Sequence, residues 1–166
     1  MSKILHIARH AKSSWDFEEI SDIDRPLNPR GLNSAYLMAK RFGERNVLPD
    51  LVLTSPANRA LYTAVIFARV LNLSWDKVVM DEKIYMGYAD DIIHIVESID
   101  NKHNNIMIFG HNPTFTDLAN HFLDNRIDNI PTAGIVSLTF KENSWNTIGT
   151  AKPQKHYFDY PKRSEQ

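Results

Sequence analysis

An α/β layer fold with a largely parallel sheet is predicted by three features of the sequence. Short apolar runs alternate with longer segments of helical period. The helical segments place apolar side chains at three- and four-residue steps, as on one helix face. Three segments also begin with an N-cap residue followed by proline: Asn28-Pro29, Ser55-Pro56 and Asn112-Pro113.

The elements follow in order. "ILHIA" (4–8) reads as a buried first strand, and a helix with Leu32, Ala35, Ala39 and Phe42 on one face follows the Asn28-Pro29 cap. "LVLT" (51–54) is the second strand, leading through Ser55-Pro56 to a helix that repeats Ala60, Ala64, Phe67 and Leu71. "KVVM" (77–80) is the third strand, before a helix marked by Ile92, Ile95 and Ile99. "NIMIFG" (105–110) is the fourth, followed by Asn112-Pro113 and a helix with Phe115, Leu118 and Phe122. "GIVSLTF" (134–140) and "WNTIGT" (145–150) suggest a late antiparallel hairpin turning through Lys141 to Ser144, and the polar tail after it is expected to lie on the surface. No repeat, low-complexity tract or linker interrupts the chain, so residues 1–166 are expected to form one domain.

Composition narrows the function. Hydrophobic residues make up 43% of the chain, enough for an ordinary core. Nineteen basic against 20 acidic residues leave no basic excess for nucleic acid. The absence of cysteine excludes a disulfide scaffold, a thiolate zinc site and a cysteine nucleophile. Neither a secretory leader nor a run of about 18 apolar residues is seen, so no membrane partner and a cytoplasmic location are expected.

Open α/β sheets bind ligands beyond the carboxyl ends of their strands. Three such ends carry suggestive residues: Arg9-His10 after the first strand, Arg59 within "SPANRA" after the second, and Gly110-His111 after the fourth. One His or Arg at a strand end is most often structural; two of each at strand–helix junctions favour an anion site. Arginine forks and helix N-termini suit phosphate, which has more oxygens and more charge to satisfy than a carboxylate. A neutral imidazole is a good nucleophile toward phosphorus, and neighbouring cations disfavour its protonated form. His10 has that setting.

Arg9-His10 resembles the "RHG/RHA" signature of the histidine phosphatase superfamily, the group that contains the phosphoglycerate mutases. "RHAKSSW", "DIDRPLNPRG", "TSPANRALYTA" and "GHNP" occur in the order and approximate spacing of its small SixA-type phosphohistidine phosphatase branch. The resemblance covers nearly the whole chain. It implies a phosphoglycerate mutase-like three-layer α/β/α sandwich and a phosphatase working through a phosphohistidine intermediate. His10 then matches the nucleophile, and Arg9, Arg59 and His111 match the residues that bind the phosphoryl group. No metal or other cofactor is implied.

"DEKIY" resembles the mutase segment in which a glutamate precedes a tyrosine by three positions, which makes Glu82 the candidate general acid with Tyr85 beside it. A solvated loop glutamate is the alternative. Arg25 either reaches a second anionic group or pairs with Asp22 or Asp24, the latter being favoured. Lys12, Ser13 and Ser14 are expected to be solvated loop residues near the pocket mouth, and His6 a packed histidine. The substrate implied is phosphohistidine on a protein; a small phosphoester is the first alternative, and a phosphohistidine-binding module without turnover the second. The Asp22-Ile23-Asp24 motif does not fit a haloacid-dehalogenase-type phosphatase, because "FEEIS" before it is no apolar strand.

Overall fold

The computed structural model describes residues 2–165. Among them, six strands form one sheet: β1 (Lys3–Arg9), β2 (Leu51–Thr54), β3 (Val78–Met80), β4 (Asn105–Gly110), β5 (Ile135–Phe140) and β6 (Lys155–Asp159), in the order β3-β2-β4-β1-β5-β6. β3, β2, β4 and β1 run parallel, whereas β5 and β6 add antiparallel to the β1 edge. The helices are α1 (Pro29–Gly43), α2 (Asn58–Val70), α3 (Lys83–Met86), α4 (Ala89–Glu97) and α5 (Thr114–Phe122).

Side chains alternate across a strand, so a central strand feeds two cores. Leu5 and Ile7 of β1, with Ile106 and Ile108 of β4, pack with α4 and α5 through Ile92, Val96, Phe115, Leu118 and Phe122. Ala8 of β1, with Met107 and Phe109 of β4, packs on the other face with α1 and α2 through Ala35, Met38, Phe42, Ala64 and Phe67. His6 points the same way, edge-on to Phe42. It is fully buried between the Ser137 hydroxyl and the Asn105 amide oxygen. The result is the three-layer sandwich, with two cores divided by one sheet.

Two expectations are corrected. Residues 145–150 form a 3₁₀ helix, and the outer antiparallel strand is β6, which lies in the polar tail. The reason lies in Trp145 and Ile148: both are buried at a three-residue step, and the Trp145 Nε1–H donates to the His103 carbonyl at 2.7 Å. Strand β6 is an edge strand whose Lys155 and His156 face solvent, so no apolar alternation marks it. The second correction concerns helix starts. Asn28 does cap α1, its side-chain oxygen accepting from the Gly31 N–H at 2.7 Å with Pro29 at the first turn. By contrast, α2 and α5 begin two residues beyond Pro56 and one beyond Pro113 respectively, at Asn58 and Thr114.

Gly31 fixes the loop after β1. A Cβ there would stand 2.0 Å from the Lys12 carbonyl oxygen, and that oxygen already accepts the Asn28 N–H at 3.0 Å. The first turn of α1 therefore lies directly against the backbone next to His10. Gly31→Ala is expected to destabilise the protein by roughly 1–3 kcal/mol through overpacking, read as a lower Tm. An unchanged Tm would mean that the loop moves aside freely.

Candidate active site

The parallel register brings the three suspect strand ends level. Arg9 pairs with Gly110 across β1 and β4, Thr54 pairs with Phe109 across β2 and β4, and the chain turns into the next segment at each place. A cleft of about 330 Å³ opens there, lined by Arg9, His10, Lys12, Ser13, Trp15, Arg25, Arg59, His111, Asn112 and Thr132. Four of the five residues singled out in the sequence thus meet in one place.

His10 is 8% exposed. Its Nδ1 lies 2.7 Å from the Ala11 carbonyl oxygen. A carbonyl only accepts, so Nδ1 carries the proton and Nε2 keeps its lone pair. Burial lowers the His10 pKa to about 3, with His111, Arg59 and Arg9 adding to the effect against the Ala11 hydrogen bond. The ring is a neutral imidazole at neutral pH, as a nucleophile must be.

Arg9 donates from Nη1 to the Ile130 carbonyl at 2.9 Å, and burial works against its charge. Arg59 is 6% exposed in the first turn of α2 and directs its fork to Asp22: Nη1 to the backbone oxygen at 2.8 Å and Nη2 to Oδ2 at 3.0 Å. His111 sits with Nε2 2.7 Å from the Ser55 hydroxyl, which also accepts the Ala57 N–H at 3.1 Å. Burial first, then Arg59, lowers the His111 pKa to about 4.

Among the described residues, three buried side-chain nitrogens have no hydrogen-bond partner: Arg9 Nε, Arg59 Nε and His111 Nδ1. An unsatisfied buried polar atom is costly and rare in a native interior. All three belong to residues lining the same cleft. Two are fixed donors, and the third becomes one when Ser55 donates to His111 Nε2. An oxyanion is the kind of group that offers such donors acceptors.

Asp22 organises this arrangement and was not recognised from sequence as doing so. Besides Arg59, it accepts the Tyr85 hydroxyl at 2.6 Å and the Arg25 Nε–H at 3.1 Å. The Tyr85 hydrogen bond is the largest influence, and with the two arginines it holds the Asp22 pKa near 2 against partial desolvation. The Asp22–Asp24 segment is a 3₁₀ turn. Arg25 has the expected Asp22 partner, yet it also lines the cleft, donates to the Ser13 hydroxyl at 2.9 Å and stacks 3.5 Å from the Trp15 ring centre. Ser13 and Ser14 are buried rather than solvated. Their packing depends on Pro26 and Arg25, twelve or so residues away, which local sequence does not reveal.

Glu82 stands exposed at the start of α3, outside the cleft lining. Its neighbour Tyr85 reaches the site instead, through Asp22 and by an edge-on contact with the His111 ring at 5.6 Å. Among the described residues, no group of three His, Asp or Glu side chains is placed to hold a metal ion. No helix among them is long and apolar enough to cross a membrane.

Similarity to known proteins agrees with this geometry. The family model of the histidine phosphatase superfamily (branch 1) matches residues 5–83. An uncharacterised protein of Mycobacterium tuberculosis is 30% identical over 112 residues, 67% of this chain and 66% of that one. A solved structure from Agrobacterium tumefaciens, assigned as a phosphohistidine phosphatase SixA, superposes with a TM-score of 0.75 at 25% identity, covering 82% of this chain and 90% of that one. The protein histidine phosphatase SixA complexed with tungstate gives a TM-score of 0.77 at 22% identity, over 95% and 94% of the two chains. The chain spans just under two thirds of the mycobacterial relative, and only 29% of a chloroplast relative from Arabidopsis thaliana. In its matched signature segment, its fold and its arginines and histidines at the strand ends, the chain resembles the histidine phosphatase superfamily.

Proposed function

We propose that the protein is a metal-independent phosphatase that hydrolyses phosphohistidine on proteins through a phosphoenzyme formed on His10. The observation that carries this is one cleft in which His10, with an unprotonated Nε2, stands beside Arg9, Arg59 and His111, each of which holds a buried nitrogen with no partner. The phosphoryl oxygens sit among Arg9, Arg59 and His111, and Nε2 attacks phosphorus in line. The bond from phosphorus to the substrate nitrogen breaks, and the leaving imidazole takes up a proton. Water then attacks the His10 phosphoramidate, releasing inorganic phosphate and restoring the neutral ring. Positioning and charge neutralisation supply most of the catalysis in such a transfer.

Two features favour a protein substrate. Trp15, 76% exposed, and Phe17 present apolar surface on the loop that borders the cleft, as suits a protein face more than a small sugar phosphate. The SixA neighbours, named as phosphohistidine phosphatases, point the same way. The direct test compares kcat/KM on phosphohistidine protein, phosphoramidate and sugar phosphates. Preference for phosphohistidine supports the reading; preference for sugar phosphates transfers the enzyme to small phosphoesters, and binding without any turnover makes it a recognition module.

The leaving-group proton gives a second test. A phosphohistidine nitrogen leaves with less help than an alkoxide, and Asp22, held ionised, is a poor donor. Glu82 remains the proposed acid for basic leaving groups. Glu82→Gln is expected to slow alkyl phosphates by roughly 10²-fold or more, to spare p-nitrophenyl phosphate, and to affect phosphohistidine to an intermediate extent. Equal losses on all three would make Glu82 a positioning residue, and no loss on any would make it a solvated carboxylate.

A further inference from the structure

A second depression of about 340 Å³ adjoins the phosphoryl cleft, and the two share Lys12 and Thr132 in their linings. Its other lining residues are Arg30, Ser34, Pro131, Tyr160, Pro161 and Lys162. The lining contains three cations and no carboxylate. Among the described residues, none of Lys12, Arg30 and Lys162 is ion-paired, and all three are exposed. These charges come from separate parts of the chain: the loop after β1, the first turn of α1 and the tail after β6.

Their backbones are firmly placed. Gly31 brings α1 against Lys12, which fixes Lys12 and Arg30 on one side, while Asp159 and the Tyr160 carbonyl are bonded by Arg41 of α1 just before Lys162. Three like charges facing one groove repel one another unless an anion joins them. The hydroxyls of Ser34 and Thr132 add neutral hydrogen-bonding groups along the same wall.

We infer that this groove binds an acidic segment flanking the phosphohistidine of a protein substrate, while the phosphoryl group occupies the cleft next to it. The inference rests on the phosphohistidine reading and adds a sequence preference to it. The exposed cations act by screened attraction, so their effect falls with salt and appears chiefly in KM.

The test uses two phosphohistidine peptides that differ only in flanking Glu against flanking Gln, with p-nitrophenyl phosphate alongside. At low salt, wild-type kcat/KM is expected to favour the acidic peptide by roughly tenfold. The Arg30→Gln/Lys162→Gln double variant is expected to bring that ratio to near one, as is added salt. A ratio near one in the wild type, or a ratio that survives the double variant, overturns the groove while turnover of the neutral peptide keeps the phosphohistidine reading intact. Turnover of p-nitrophenyl phosphate with neither peptide overturns both. A preference for a small phosphoester bearing a second anion, lost in the double variant, overturns the acidic segment as occupant and assigns the groove to that small molecule.

Discussion

His10→Ala is expected to lower kcat/KM by roughly 10³-fold or more and to abolish the phosphoenzyme. In wild-type protein, rapid quench with labelled substrate is expected to trap phosphate that is acid-labile and base-stable, as a phosphoramidate is. The structural basis is the Nδ1–H donated to the Ala11 carbonyl, which leaves Nε2 as the free lone pair. Because His10 is buried and packs against the His111 ring, Tm serves as a control for folding. Label that persists in His10→Ala moves the nucleophile elsewhere. The pH profile adds an independent reading. An ordinary histidine gains its proton near pH 6.5, whereas burial and the surrounding cations hold His10 near 3 and His111 near 4. Since each folded value is depressed, the neutral rings persist well below pH 6.5. After correction for substrate protonation, the acid limb of kcat/KM is expected below about pH 5. A limb near 6.5 would mean that His10 or His111 is protonated far more readily than its surroundings imply.

Depressed histidines also tie stability to acid. His6 is wholly buried as a neutral ring with its pKa near 3, lowered mainly by desolvation. The unfolded chain binds that proton near pH 6.5, so unfolding is favoured progressively as pH falls from there toward 3. His10 acts in the same direction. The same burial that keeps His10 neutral therefore weakens the fold in acid.

How much of this was legible in the sequence depends on the range of the contacts involved. Arg9, His10, Arg59 and His111 were legible because a parallel sheet aligns its strand ends, and each residue lies within a few positions of one. The two cores were legible from three- and four-residue steps in the helices. Asp22 was not, because its role depends on Arg59 and Tyr85, 37 and 63 residues away. Ser55 reads as a cap in sequence and does accept the Ala57 N–H, but its hydroxyl also meets His111. The edge strand β6 escaped notice because an exposed edge needs no apolar alternation. The segment 145–150 misled for the opposite reason: its buried Trp145 and Ile148 follow a 3₁₀ step in a run too short to distinguish from a strand.

Arg59→Lys gives the second large effect, since it retains the charge and removes the geometry. Arginine presents a planar fork with several fixed donors, whereas lysine presents a single ammonium on a flexible stem. Here the fork has separate duties. Nη1 and Nη2 bind Asp22, which Tyr85 and Arg25 hold in turn, while Nε remains buried without a partner at the cleft. An ammonium cannot satisfy both Asp22 oxygens and reach the phosphoryl group in the same orientation. A loss of roughly 10²-fold or more in kcat/KM is therefore expected. Asp22→Asn separates the two duties, because it removes the carboxylate charge that holds the fork and leaves the arginine itself in place. Its loss is expected to be smaller than that of Arg59→Lys and to fall on kcat more than on KM, as for a residue that positions another. Should Arg59→Lys show near-normal kinetics with an unchanged Tm, Arg59 serves only to hold Asp22, and Arg9 and His111 alone carry the phosphoryl charge.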